Sequence, residues 1–177
     1  MAGEHFFWIT SRAAGTVALL ASSAAVCLGL LMSGRVLRGR KGDLRVTHEA
    51  LSLATLLAIA VHALALLGDG FLHPSLADVT VPLASGFHRL WTTTGIVAGW
   101  ALGLLGLSYY VRGRIGPARW RRLHRFTALA WVLAVAHSLG EGTDAGAAWF
   151  LVACACVVLP AAALLLARLA RAPAPQP

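Results

Sequence analysis

At 177 residues, 58% of them hydrophobic and 12% charged, with a mean hydropathy of +0.73, the chain is too apolar for a soluble globular domain. Its formal charge of +8 would suit a nucleic-acid partner in a soluble protein. Here the arginines sit at the ends of apolar stretches, where they set membrane topology, so no nucleic-acid partner is expected and lipid is the medium.

The first uncharged stretch, residues 13–34, has the roughly 20 residues that a helix needs to cross a bilayer. No basic region precedes it, and it is longer than a signal-peptide core, so it is expected to remain as a helix with Arg12 at its outer end. A basic loop follows, with Arg35, Arg38, Arg40, Lys41 and Arg45. The second stretch, 46–67, carries Glu49 at its edge and contains His48 and His62. Residues 68–89 hold one positive charge and the turn formers Gly68, Gly70, Pro74 and Pro82, and are expected to form an outer cap with a short interfacial turn.

The third stretch is 90–111, followed by Arg112, Arg114, Arg119, Arg121, Arg122 and Arg125. The fourth, 126–140, is short and reaches spanning length only if its helix begins near Ala118, with the last three of those arginines among headgroups. Residues 138–146 carry Glu141 and Asp144 without a positive charge, and the fifth stretch, 145–167, ends before Arg168 and Arg171. The positive-inside rule then gives an all-α, five-helix transmembrane bundle over 1–171, with the N-terminus outside and the C-terminus cytoplasmic. The tail 172–177 is proline-rich, too short to fold, and expected to be disordered. Many Ala and Arg residues, with Lys41 the only lysine, point to a GC-rich bacterium and so to a multi-pass protein of its cytoplasmic membrane.

Cys27, Cys154 and Cys156 lie deep in apolar segments and read as small hydrophobes. No glycine pattern of the dinucleotide-binding type is present, so electrons, if they pass, come from a separate donor protein, a quinone or a flavin.

Four histidines carry the chemistry. His48 and His62 are 14 residues apart in the second helix, and His124 and His137 are 13 apart in the fourth. Both helices begin on the basic side and run the same way. His48 and His124 therefore share the inner level, and His62 and His137 the outer, with roughly 20 Å between levels at 1.5 Å per residue. Ionisable side chains inside a span are costly and mark function. Two imidazoles at each of two heights are the ligand set for two six-coordinate haems, with His48 and His124 on the inner iron and His62 and His137 on the outer. Zinc or copper would need the four to converge within a few ångströms.

At about 100° per residue, 14 residues end roughly 40° short of four turns, so His48 and His62 share a face with Ser52, Thr55 and Ile59. Thirteen residues end roughly 140° short, so His124 and His137 need a π-bulge, a kink or sideways-offset haems. Trp131 lies midway between them and is a candidate to pack between the haems, or plain core. Arg12 is a candidate partner for an outer propionate or an attractor for the electron acceptor, and otherwise an interfacial arginine. Arg122 and Arg125 flank His124 and are candidates to bind inner propionates, or carry their charge for topology alone. His73 and His88 are candidate substitute outer ligands or docking residues, and are expected to be solvated.

The two histidine segments, together with Thr10-Ser11-Arg12-Ala13-Ala14-Gly15, resemble the ferric reductase-like transmembrane domain, the haem module of ferric reductases, NADPH oxidases and the methionine sulfoxide reductase haem subunit. The resemblance runs roughly from Trp8 to Arg168. It implies two b-type haems that pass electrons from the cytoplasmic side to an extracytoplasmic acceptor such as ferric iron, a reductase or oxygen. It also implies an arginine, here Arg12, near the outer haem, and leaves room for a flavin near the inner basic loops. The chain is expected to be the membrane component of such an oxidoreductase, without its own flavin and NADPH domain. The competing expectation is a non-enzymatic proton or metal-ion transporter using the same histidines as a relay.

Overall fold

The computed structural model describes residues 5–34 and 41–171. The tail 172–177, and Arg35, Arg38 and Arg40 of the inner loop, lie outside the described residues. Among those described the protein is all-helical, without strands. In chain order the elements are α1 (Phe6–Ser33), α2 (Lys41–Leu67), α3 (Leu76–Thr80), α4 (Arg89–Leu107), α5 (Arg112–Ile115), α6 (Pro117–His124), α7 (Thr127–Glu141) and α8 (Ala148–Ala170).

Four of them, α1, α2, α4 and α8, are long and apolar enough to cross a membrane. The helix α1 starts at Phe6, earlier than its uncharged stretch, so Arg12 lies within its first two turns. Leucines 53, 57, 64, 104, 159 and 166 are exposed along these helices, as lipid-facing side chains are.

The fourth expected helix is instead two, α6 and α7, joined at Arg125 and Phe126. At 15 residues, α7 is about 22 Å long and does not span a hydrocarbon core of about 30 Å alone. Gly116, at φ 89°, makes the turn into α6, and Pro117 follows at its first position, where a missing N–H costs nothing. Across the joint, the amides of Arg125, Phe126 and Ala128 donate to the carbonyls three residues back, at 3.3, 3.0 and 3.2 Å. These are 3₁₀-type bonds, which turn the chain by about 120° per residue in place of 100°. Three or four such residues recover roughly 60–80° of the 140° by which His124 and His137 fall out of line on a straight helix.

Helix α1 is the hub: it packs along α2 and also against α7 and α8, while α4 packs on α7. Its buried residues are small (Ser11, Ala18, Ser22, Ser23 and Ala25, with Leu19), which lets neighbours approach closely. Among the described residues α2 and α7 are not closely packed on each other. The histidine-bearing helices, α2 on one side and α6 with α7 on the other, face each other across a space that α1 and α4 flank. In α8, Pro160 removes one backbone hydrogen bond, and neighbouring Ala161 is fully buried.

The cap over one end of the bundle contains α3, started by a capping box in which Asp78 N–H donates to Ser75 Oγ and Ser75 N–H to Asp78 Oδ2. The cap is tied to α4 by Trp100 Nε1–H to the Thr80 carbonyl (2.9 Å) and Arg89 Nε–H to the Leu83 carbonyl (2.9 Å).

Candidate functional site

The four histidines form two pairs across the space between α2 and α6/α7. The imidazole centres of His48 and His124 are 6.2 Å apart, and those of His62 and His137 are also 6.2 Å apart. Two nitrogens each about 2 Å from a shared metal, with each ring centre about another ångström behind, give about 6 Å. Both pairs therefore have the separation of two imidazoles on one metal. Among the described residues no group of three or more His, Cys, Asp or Glu converges as a metal site. This is a two-ligand arrangement, the number that a porphyrin iron accepts from protein.

In the outer pair both rings are held from behind. His62 Nδ1–H donates to the Ser11 carbonyl at 2.8 Å, and the Ser11 hydroxyl donates to the His62 carbonyl at 3.2 Å. His137 Nδ1–H donates to the Trp91 carbonyl at 2.9 Å. A carbonyl only accepts, so Nδ1 carries the proton and Nε2 keeps the lone pair that a metal needs.

Glycines make the approach possible. A Cβ on Gly15 would stand 3.0 Å from His62 Nδ1, one on Gly29 3.3 Å from His48 Nε2, and one on Gly95 2.5 Å from His137 Nδ1. Gly15 and Gly29 are 14 residues apart on α1, the same spacing as His62 and His48 on antiparallel α2. Each glycine therefore meets one ring. The sequence reading missed these glycines, although the 14-residue interval between Gly15 and Gly29, matched to that between His48 and His62, could have found two of them.

The inner pair is held differently. Trp120, one helical turn before His124, stacks on its imidazole at 4.9 Å and 24° between planes. Trp120 Nε1–H donates to Ser108 Oγ (3.0 Å), whose hydroxyl donates to the Leu105 carbonyl (2.6 Å). His124 Nδ1 is buried and makes no hydrogen bond of ordinary geometry among the described residues; the Leu105 carbonyl is the acceptor that faces it. A cavity of about 950 Å³ opens at this level, lined by both histidines with Arg45, Glu49, Arg121 and Tyr109 among others. That is the upper end of the range for cofactor pockets. Ser52 lines it too, and Thr55 and Ile59 continue the same face of α2, Ile59 lying beside Gly99.

Trp131 is 2% exposed, and its Nε1–H donates to Ser23 Oγ on α1 at 2.9 Å. Trp131 lies between His124 and His137 in sequence, and Ser23 between Gly15 and Gly29, so the bond crosses the bundle at mid-height. Arg12 makes a two-pronged ion pair with Asp144, whose side chain is nearly buried, and stacks over Trp8 at 4.9 Å. It lines a smaller cavity between α1 and the start of α8, with Ile9 and Trp149. Sequence reasoning had no means of finding its partner, 132 residues away.

Of the arginines near the His48–His124 pair, Arg45 and Arg121 line the large cavity, and Arg122 and Arg125 are not among its walls. His88 stands 3.4 Å from Glu141 and stacks on Phe87, and exposed His73 lies by the Phe71 carbonyl, so neither joins a pair.

Residues 14–135 match the family described as ferric reductase like transmembrane component. The chain belongs to this family. No curated protein and no solved structure matches it. His48, His62 and His124 fall within the matched residues, and His137 lies two positions beyond them. Four apolar helices and this family make the protein a multi-pass membrane protein.

Proposed function

We propose that this ferric reductase-like protein is a b-type haem electron-transfer subunit that carries electrons from a cytoplasmic or membrane donor to an extracytoplasmic acceptor. One observation carries the reading: two histidine pairs on the same two walls of the bundle, each with ring centres 6.2 Å apart. His48 and His124 hold the inner haem, and His62 and His137 the outer. When bound, iron porphyrin between two neutral imidazoles supplies a one-electron couple with no open position for substrate at the metal.

The chain's own residues do the rest. The Ser11 and Trp91 carbonyls fix the outer imidazoles with Nε2 free to ligate. Gly15 and Gly95 let those rings sit close to α1 and α4, and Gly29 does the same for His48. Arg45 and Arg121 at the inner cavity are the cations placed for carboxylate side groups, and Arg12, at the other level, is engaged by Asp144. Trp131, pinned by Ser23, fills the apolar middle and excludes water between the levels.

In this reading α6 and α7 together form the fifth span, with the 3₁₀ joint between the histidines. The basic 35–45 and 112–125 segments face the cytoplasm, and the N-terminus lies outside a bacterial cytoplasmic membrane. A quinone, a flavin or a separate protein is the donor.

The test is purification in detergent followed by absorption spectra and haem counting. Two b-type haems per chain are expected, with His48→Ala or His124→Ala losing one and His62→Ala or His137→Ala losing the other. Folded, fully membrane-inserted protein that binds no haem would overturn the reading and favour a proton or metal-ion relay through the same histidines.

A further inference from the structure

Independently of the haem reading, we infer that α5 and α6 form a binding surface for acidic phospholipids, whose headgroup phosphates complete the packing of this turn and so hold the helix that carries His124. The arginines that the histidine site leaves unused lead there.

The turn is poorly anchored by the protein itself. Neither α5 nor α6 contains a buried residue, and the main neighbours of α6 are α5 and α4. A helix of eight residues is too short to be stable alone in water. One side of α6 is engaged: Trp120 and His124, one turn apart, face the large cavity, and the Trp120 indole is bonded to Ser108. At about 100° per residue the other side presents Arg119 and Arg122, both exposed and neither in the cavity wall.

The charge on that side has no counterpart. Arg114, Arg119, Arg121, Arg122 and Arg125 are all exposed, and no acidic residue lies between Asp78 and Glu141 in the sequence. Among the described residues none of these arginines pairs with a carboxylate. Like charges on neighbouring turns destabilise a helix, so Arg119 and Arg122 call for an anion between them. Guanidinium groups grip phosphate through paired hydrogen bonds.

The apolar side chains among the arginines choose the source of the phosphate. Tyr110, Val111, Leu123 and Phe126 are exposed, and they continue the row of Leu104 and Leu107 on α4. A free phosphate ion leaves those side chains in water, and a soluble acidic protein cannot follow the row into the hydrocarbon. An acidic lipid supplies phosphate and acyl chain together.

A ligand that binds only the folded turn stabilises it by mass action. Because Trp120 and His124 lie on the opposite side of the same short helix, acidic lipid orders the His124 ring. His137 stands on α7, which buried Ala130 and Trp131 anchor within the bundle. Lipid composition therefore acts on one level of the bundle and not on the other.

The experiment is amide hydrogen exchange on the purified protein in nanodiscs of phosphatidylcholine alone, or of an equal mixture with phosphatidylglycerol. The mixture should slow exchange over residues 117–126 by at least about tenfold and leave α1 and α7 unchanged. Arg119→Gln with Arg122→Gln should abolish that difference, the unchanged exchange of α1 and α7 showing that the variant is folded. Arg168→Gln with Arg171→Gln, which removes the same charge from the end of α8, should retain it. Equal exchange in the two nanodiscs, a slowing spread evenly over all helices, a slowing that survives in the Arg119 and Arg122 variant, or the same slowing from inorganic phosphate added to phosphatidylcholine nanodiscs overturns the inference.

Discussion

Gly95→Ala is the smallest change that tests the site geometry. The added methyl would stand 2.5 Å from His137 Nδ1, 2.6 Å from Cε1 and 2.7 Å from Cγ. Ordinary carbon contacts begin near 3.5 Å, so the ring or the helix must move by about 1 Å. Metal–nitrogen distances tolerate only about ±0.2 Å. The displacement also stretches the 2.9 Å bond from His137 Nδ1 to the Trp91 carbonyl. Glycine to alanine within a helix is itself favourable by about 0.5–1 kcal/mol, so a defect cannot come from weakened helix propensity.

Two controls lie on the same helix. A methyl at Gly99 meets Ile59 at 3.6 Å, an ordinary contact, and one at Gly103 meets nothing within 4 Å. Haem per chain, measured by pyridine haemochrome with the reduced α-band, should fall from two to one in Gly95→Ala, with the His48–His124 centre kept. It should stay at two in Gly99→Ala and Gly103→Ala. Full loading and an unchanged spectrum in Gly95→Ala would refute the placement of His137 as a ligand packed against α4.

Two further outcomes follow from the same coordinates. Ser22 and Ser23 are equally hidden neighbours on α1, but Ser22 bonds only the Leu19 carbonyl of its own helix, while Ser23 also accepts from Trp131 across the bundle. Ser23→Ala strands a buried indole N–H and should cost about 1–3 kcal/mol in detergent unfolding, against less than about 0.5 for Ser22→Ala; equal losses would mean that the inter-helix bond contributes nothing. In the cap, the hydroxyl and then the amide of Ser75 hold the Asp78 carboxyl below its usual range. Because the folded value is depressed, this support for α3 is complete above the ordinary carboxylate pKa of about 3.9 and is lost as pH falls through the lower folded value. Amide exchange over residues 75–80 should accelerate only in that acid window in the native chain, and Ser75→Ala should shift the onset upward.

Much of the site was legible in the residues because its logic is additive along a helix. Fourteen positions of continuous α-helix bring His48 and His62 to one face whatever surrounds them, and α2 is continuous from Lys41 to Leu67. Thirteen positions cannot do so, and that mismatch called for a π-bulge, a kink or sideways-offset haems. Its form was not legible: nothing in Leu123-His124-Arg125-Phe126-Thr127 distinguishes a 3₁₀ joint from a π-bulge, since the choice depends on how α6 and α7 pack against α4. The same limit applies to Trp120, whose stacking on His124 depends on Ser108 turning its indole N–H away.

Hydropathy, the arginine distribution and the histidine intervals are sums or periodicities over neighbouring residues, and from them the sequence by itself determined the membrane class and the pairing of four histidines at two heights. The partners at long range were decided only in three dimensions: Arg12 with Asp144, Trp131 with Ser23, and glycines 15, 29 and 95 each against one imidazole. Those contacts join residues 19 to 132 positions apart along the chain, and no local pattern encodes which distant side chain fills the space left beside a given helix face. That selection belongs to packing, where every neighbour must fit at once.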